Sequence, residues 1–268
     1  MDQRAIGVFD SGLGGLTAMR ELTALLPNER FVYFGDTARV PYGTRSRETI
    51  ISYARQDVNF LRSFDLKAIL IACGTVSTTA LDTLREEVPL PLIGVVEPAV
   101  GEAVSASKSG RIGLIGTSAT VGSGAFQRAI LLKNPAATVT SQACPLFVPL
   151  VENGRYESSD KVVELVVAEY LAPLKAAAVD TLVLGCTHYP LLMEAVAAYM
   201  GEGVALVNTG AAAAQALAAF LQESGALSAA GRGEQKFYVS DSPDGFERLA
   251  SIFLRTNVCG EVTQVSVG

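Results

Sequence analysis

A chain of 268 residues with 49% apolar side chains can bury the cores of one large α/β domain or two modest ones, and two is the expectation. Its 27 acidic and 21 basic side chains leave a net charge of −6, which disfavours nucleic-acid and anionic-membrane surfaces, and one histidine without a C-x-x-C pair gives too few ligands for structural zinc. No apolar run reaches the roughly 18 residues of a spanning helix and no signal-peptide pattern opens the chain, so a cytoplasmic protein with reduced cysteines is expected.

In chain order, residues 5–9 predict a strand and Asp10-Ser-Gly-Leu-Gly-Gly15 the turn after it. Leu16, Met19, Leu22 and Leu26 then share one helical face until Pro27 ends it. Residues 31–35 form the next strand, followed by Asp36 and a loop, 37–43, whose Pro41 and Gly43 fix its path. Ser46 caps a helix with Ile50, Tyr53, Ala54, Val58 and Leu61 on one side. A third strand, 68–72, delivers Cys73; a helix after Thr75 ends before Pro89, and 92–96 is a short fourth strand.

Near Glu97-Pro98 the pattern restarts, because Arg111-Ile-Gly-Leu-Ile-Gly116-Thr117-Ser118 is similar to the opening Ile6-Gly-Val-Phe-Asp10-Ser11. A run near Thr138 precedes a breaker-rich loop, 144–154, that carries Glu152, and a helix spans 160–174. A strand at 181–184 leads into Gly185-Cys186-Thr187-His188, repeating the earlier strand that ends at Cys73. A helix over 191–200, a strand over 204–207, an alanine-rich helix over 211–221 and a linker-like stretch, 226–234, follow. The chain closes with a strand at 237–240, a helix at 243–254 and a strand at 262–267.

An internal repeat of about 110 residues is too long for a solenoid and fits two similar domains. The expected fold is α/β, with two Rossmann-like or flavodoxin-like domains related by pseudo-symmetry and the active site in the cleft between them. The closing elements return to the first domain, which gives residues 1–97 plus 209–268 and residues 98–208 as the two units.

The opening glycines invite a dinucleotide reading, but G-x-G-x-x-G would need Gly or Ala where Thr17 stands. Asp10 and Ser11 also put negative charge where a pyrophosphate would lie, and no G-K-[ST] occurs. What remains is a Gly-rich helix start suited to a carboxylate, with Asp10 able to hold an ammonium group; together they describe an amino acid. Cys73 and Cys186 each end a strand where a helix begins, a setting that lowers a thiol pKa from about 8.5. Across a cleft, one as thiolate and one as thiol, they could remove a proton from one face of a carbon and return one to the other, which is racemisation without a cofactor. His188, two residues beyond Cys186, tunes or relays its proton. Cys144 and Cys259 read as small buried hydrophobes, and Thr75 and Thr187 as helix caps whose hydroxyls would lie beside a substrate.

These features resemble the glutamate racemase family within the wider aspartate/glutamate racemase superfamily. The matching pieces are Phe9-Asp-Ser-Gly-Leu-Gly-Gly15, Phe34-Gly-Asp-Thr-Ala-Arg-Val-Pro-Tyr-Gly43, Ala72-Cys73-Gly-Thr75, Cys144-Pro-Leu-Phe-Val-Pro-Leu-Val-Glu152 and Leu184-Gly-Cys-Thr-His-Tyr-Pro190. The resemblance implies interconversion of L- and D-glutamate for bacterial peptidoglycan, with no pyridoxal phosphate and no metal, and with a homodimer among the assemblies it allows. By position, Cys73 resembles the thiol acting on D-glutamate and Cys186 the one acting on L-glutamate. Asp10 and His188 resemble their acid-base supports, and Glu152 an assisting carboxylate. Ser11, Tyr42, Gly43, Thr75 and Thr187 resemble substrate contacts, joined by Asp10, His188 and the backbone of Gly74. The family's usual Cys-Asn-Thr is here Cys73-Gly74-Thr75, and Asn208-Thr209 stands where an acidic residue is common. Rival expectations are a racemase of aspartate or another small amino acid, a non-catalytic amino-acid-binding protein on the same scaffold, and a nicotinamide oxidoreductase.

Overall fold

The structure, a computed structural model, describes residues 2–229, 231, 233–254 and 262–267. Strand β1 (Ala5–Asp10) is buried throughout, helix α1 (Leu16–Leu25) follows it, and β2 (Phe31–Gly35) is equally buried. Helix α2 (Arg47–Leu61), with Ser46 accepting from the Thr49 N–H, leads to the buried β3 (Leu66–Ile71). Consecutive apolar positions leave these strands no wet face, so helices must cover both sides, the condition under which parallel sheets form. Short helices α3 (Gly74–Thr79) and α4 (Leu81–Glu87) and strand β4 (Leu92–Gly94) complete the first pass.

Helix α5 (Val96–Ala106) carries the chain to β5 (Arg111–Gly116), α6 (Ser118–Ser123), α7 (Ala125–Lys133) and β6 (Thr138–Ala143). Then come α8 (Phe147–Glu152), α9 (Lys161–Ala176), β7 (Thr181–Leu184), α10 (Met193–Met200) and β8 (Ala205–Asn208). Helix α11 (Thr209–Glu223), β9 (Gln235–Val239), α12 (Pro243–Leu254) and β10 (Val262–Gln264) close the chain.

Among the described residues the strands form two parallel sheets, ordered β10-β9-β2-β1-β3-β4 and β6-β5-β7-β8. The order 2-1-3-4 recurs, with β6, β5, β7 and β8 in the places of β2, β1, β3 and β4, so the sequence repeat is a repeat of topology. On this strand membership we propose the division into 1–97 plus 209–268 and 98–208. The alanine-rich α11 lies on α1 so closely that a Cβ on Gly210 would stand 3.1 Å from that of Ala18. No helix among the described residues is long and apolar enough to cross a membrane.

Several expectations are corrected. The strand predicted over 92–96 stops at Gly94, and the restart near Glu97-Pro98 is helix α5. The loop holding Glu152 is helix α8, with Glu152 its last residue. Both helices carry a proline, Pro98 or Pro149, in the first turn, where a missing N–H costs nothing because no intrahelical acceptor is available. The helix after Thr75 is two helices broken at Ala80, and the last strand spans 262–264 rather than 262–267. Cys259 lies outside the described residues.

Described residues of the linker-like stretch 226–234 are pinned in place. Lys67 Nζ donates to the Ala226 carbonyl at 2.7 Å, the Ser228 N–H donates to Glu29 Oε1 at 2.7 Å, and the Gly233 N–H donates to the Pro27 carbonyl. Lys67 and Glu29 are themselves a buried pair at 2.5 Å, and apart from this charge contact Glu29 Oε2 has no partner. Removing one member of such a pair leaves an uncompensated buried charge, whereas removing both does not. Lys67→Met is therefore expected to lower stability by about 3–5 kcal/mol in urea denaturation, and adding Glu29→Leu to recover part of that loss. Equal stabilities of wild type and Lys67→Met would show the pair to be dispensable.

Candidate active site

A cavity of about 290 Å³ opens between the carboxyl ends of the two sheets, the place where α/β folds bind ligands. From the first sheet, β1 brings Asp10 and Ser11, β3 brings Cys73 and the start of α3, and the loop after β2 brings Tyr42 and Gly43. From the second, β7 brings Cys186, Thr187 and His188, and α8 reaches in with Glu152. Gly74 and Thr75 complete the set, so all eleven residues singled out in the sequence line one space.

The two thiols have different surroundings. Cys73 is buried and its Sγ lies 3.1 Å from Ser11 Oγ. Burial, followed by the negative charge of Asp10, pushes its pKa up to about 12 against the lowering effect of Ser11. The lowered pKa expected from the helix start is thus overturned for Cys73: six residues of helix do not outweigh desolvation beside a carboxyl group. Cys186 Sγ stands 3.9 Å from His188 Nδ1, and His188 Nε2 stands 3.0 Å from Glu152 Oε1. Burial alone would pull the imidazole pKa down, but the contacts with Cys186 and Glu152 outweigh it and raise it to about 10. His188 is consequently cationic at neutral pH, with Phe253 edge-on to its ring at 5.3 Å.

Asp10 is 1% exposed. Burial raises its pKa, opposed by the His188 charge and by the Gly15 and Gly12 N–H groups. Oδ2 accepts from the Gly12 N–H at 2.9 Å, while Oδ1 has no hydrogen-bond partner. A buried carboxylate oxygen without a partner is costly and marks a place prepared for a ligand donor.

Tyr42 lines the cavity, but its hydroxyl is engaged away from it, its one proton shared between Asp36 and, at 2.9 Å, Asp57. Arg39 contacts the same two buried carboxylates, each at 2.6 Å. What the loop offers a ligand is therefore Gly43 and backbone rather than the phenol. Across the cleft, Thr75 Oγ1 lies 3.0 Å from Thr117 Oγ1, and the Thr17 hydroxyl donates to the Thr187 carbonyl at 2.9 Å. A Cβ on Gly74 would overlap the Gly185 carbonyl, and one on Gly14 would overlap Thr187 Oγ1. Where Asn was the expected residue, glycine lets the two strand ends meet backbone to backbone.

Thr117, Ser118 and Cys144 also line the cavity and were not singled out. Thr117 follows β5 as Ser11 follows β1, so the repeat held the signal. Cys144 is buried as expected, and burial raises its pKa, yet it is part of the cavity wall. Among the described residues no group of three or more His, Cys, Asp and Glu is arranged to hold a metal.

Comparison with known proteins follows the same lines. The family described as Asp/Glu/Hydantoin racemase matches residues 6–217. The glutamate racemase of Geobacter metallireducens is 44% identical over 268 residues, covering 100% of this chain and 98% of that protein. The crystal structure of a glutamate racemase isoform from Bacillus anthracis superposes with a TM-score of 0.95 at 36% identity, covering 99% of this chain and 98% of that one. That of the Francisella tularensis glutamate racemase in complex with D-glutamate gives 0.92 at 40% identity, with the same coverage.

Because the chain has a single histidine, its imidazole can be followed without ambiguity. The folded pKa lies above the unfolded value of about 6.5, so the stabilisation it provides is complete below pH 6.5 and is lost as pH rises through about 10. An NMR titration should give an imidazole midpoint near 10, and Glu152→Gln should move it toward neutrality. A midpoint near 6.5 in the wild type would mean that the Cys186 and Glu152 contacts do not hold the charge.

Proposed function

The chain belongs to the Asp/Glu/Hydantoin racemase family, and we propose that it interconverts L- and D-glutamate without a cofactor, using Cys73 and Cys186 as the two bases. The observation that carries this is the presence of two thiols in one cavity, on strand ends of opposite sheets, each with its own acid-base partner. The relatives named as glutamate racemases, one of them bound to D-glutamate, support the choice of substrate.

In this mechanism the ammonium group of glutamate sits against Asp10, whose buried Oδ1 lacks a donor. Hydroxyls of Ser11, Thr75 and Thr187, with Gly43 and the Gly74 backbone, hold the carboxylates. With L-glutamate, the Cys186 thiolate takes the α-proton, breaking the C–H bond and leaving its electron pair on the α-carbon. The Cys73 thiol then delivers its proton to the opposite face, giving D-glutamate and leaving Cys73 as thiolate and Cys186 as thiol. The reverse reaction starts from Cys73. The two sides need different help, which their surroundings supply. Cationic His188, braced by Glu152, stabilises negative charge on Cys186 and passes protons at Nδ1. Cys73, whose pKa burial and Asp10 raise, is suited to deliver a proton, and the ammonium charge of bound substrate favours its ionisation in the reverse direction. The product serves bacterial peptidoglycan synthesis in the cytoplasm.

Incubating L-glutamate in D₂O should yield D-glutamate bearing α-deuterium, since the α-proton goes to Cys186 and the one returned comes from Cys73, whose thiol has exchanged with solvent. Cys73→Ser and Cys186→Ser should each lower kcat/KM by about 10²–10⁴, the range ascribed to positioned acid-base groups. Inversion that persists when both are replaced would remove the thiols from the mechanism, and absence of exchange and inversion in reduced protein would remove the activity.

A further inference from the structure

A second cavity, of about 350 Å³, lies beside the first and is also shared by both halves of the molecule. Arg45 and Arg47, at the entry to α2, line one side, Arg128 of α7 and Ser123 of α6 line the other, and Thr79, the last residue of α3, and Asp82, in the first turn of α4, also line the cavity. Its walls continue directly from the first cavity, since Thr44 and Ser118 line that one and their neighbours Arg45 and Ala119 line this one.

The charge arrangement is unusual for this chain, whose net charge is −6. Among the described residues Arg4, Arg20, Arg30, Arg39, Arg55, Arg85 and Arg155 each pair with a carboxylate. Arg45, Arg47, Arg62, Arg111 and Arg128 make no ion pair among the described residues, and three of these five, Arg45, Arg47 and Arg128, face this cavity. Arg47 is the first residue of the fifteen-residue α2, with Arg45 just before its cap, so two cations stand at the positive end of a helix dipole with only Glu48 in that turn to offset them. The Arg128 guanidinium is oriented by its bond from Nη1 to the Ser123 carbonyl at 2.8 Å. The one carboxylate in the wall, Asp82, is almost fully exposed and lies 4.0 Å from Arg85, outside the cavity. The volume falls in the range of about 300–1,000 Å³ typical of small-molecule sites.

We propose that this cavity binds a phosphate group, free or carried on a small ester, held by Arg45 and Arg47 from one half and Arg128 from the other. Planar guanidinium forks match phosphate oxygens in bidentate geometry, and a dianion relieves the repulsion among three cations lining one cavity. Bound there, it ties the half that carries Cys73 to the half that carries Cys186.

Isothermal titration of pyrophosphate, inorganic phosphate and phenyl phosphate into the full chain at low ionic strength tests this. Saturable one-site binding is expected, weakened about tenfold or more in Arg45→Ala and in Arg128→Ala, one variant from each half. Both variants should keep the wild-type melting temperature and racemisation rate without phosphate, which separates loss of the site from loss of fold. Tighter binding of phenyl phosphate than of inorganic phosphate identifies an ester as the source, and the reverse identifies the free ion. Heats reproduced by sodium chloride at equal ionic strength, or phosphate binding unchanged in both variants, would overturn the proposal.

Discussion

The close backbone contact between the two sheets at their carboxyl ends is the constraint on which the site depends. Gly74 meets the Gly185 carbonyl and Gly14 meets Thr187, each at a separation that leaves no room for a Cβ. Gly74 adjoins Cys73 and Gly185 adjoins Cys186, so these contacts set the relation of one thiol to the other. A parallel sheet alone guarantees only that loops gather at one end. Two such ends must face each other, and in this chain glycines remove the side chains that would hold them apart. The hydroxyl contacts Thr75 to Thr117 and Thr17 to the Thr187 carbonyl then join the halves without placing a charge in the seam.

Within that frame pseudo-symmetry of backbone coexists with asymmetry of charge. The topology repeats strand for strand, yet one thiol has a hydroxyl and a buried carboxyl beside it while the other has an imidazolium braced by a carboxylate. Environments that push neighbouring titratable groups apart are how a single fold assigns acid and base roles. The asymmetry arises in which elements supply the partners: Asp10 ends β1, whereas Glu152 ends α8, after β6.

The sequence made the strands and the paired thiols legible because buried parallel strands are unbroken apolar runs, and because the same strand-cysteine junction occurs twice. Helices α5 and α8 were hidden by Pro98 and Pro149, which read as breakers until their place in a first turn is known. The sign of the Cys73 shift could not be read either, since a helix start is visible in a sequence and the burial that outweighs it is not. Tyr42 was legible as part of the site but not in its role, because Asp57, which draws the hydroxyl away, lies on α2, a helix that shows only its apolar periodicity. Thr117 was overlooked for a different reason: its counterpart Ser11 is flanked by a motif, and Thr117 is not.

The return of the C-terminal segment to the first sheet has a chemical as well as an architectural consequence. The Ser240 hydroxyl, just past β9, donates to Asp36 Oδ1 at 2.7 Å and accepts from the Ala38 N–H at 2.9 Å, while the Asp241 N–H donates to Thr37 Oγ1 at 3.0 Å. Asp36 is thereby fixed where it accepts from Tyr42 and Arg39, and Asp57, its pKa raised by burial and by Asp36, closes the cluster from α2. Two buried carboxylates around one guanidinium would be costly as isolated charges. Here every member also holds the loop that carries Gly43 to Thr117 on the opposite half, where a Cβ on Gly43 would come within 3.0 Å. Helix α12 acts on the other wall, setting Phe253 against the His188 ring. The last strand pair and helix thus brace both the loop facing the substrate and the histidine beside Cys186, so the stretch least distinctive in sequence supports the site from behind on both sides.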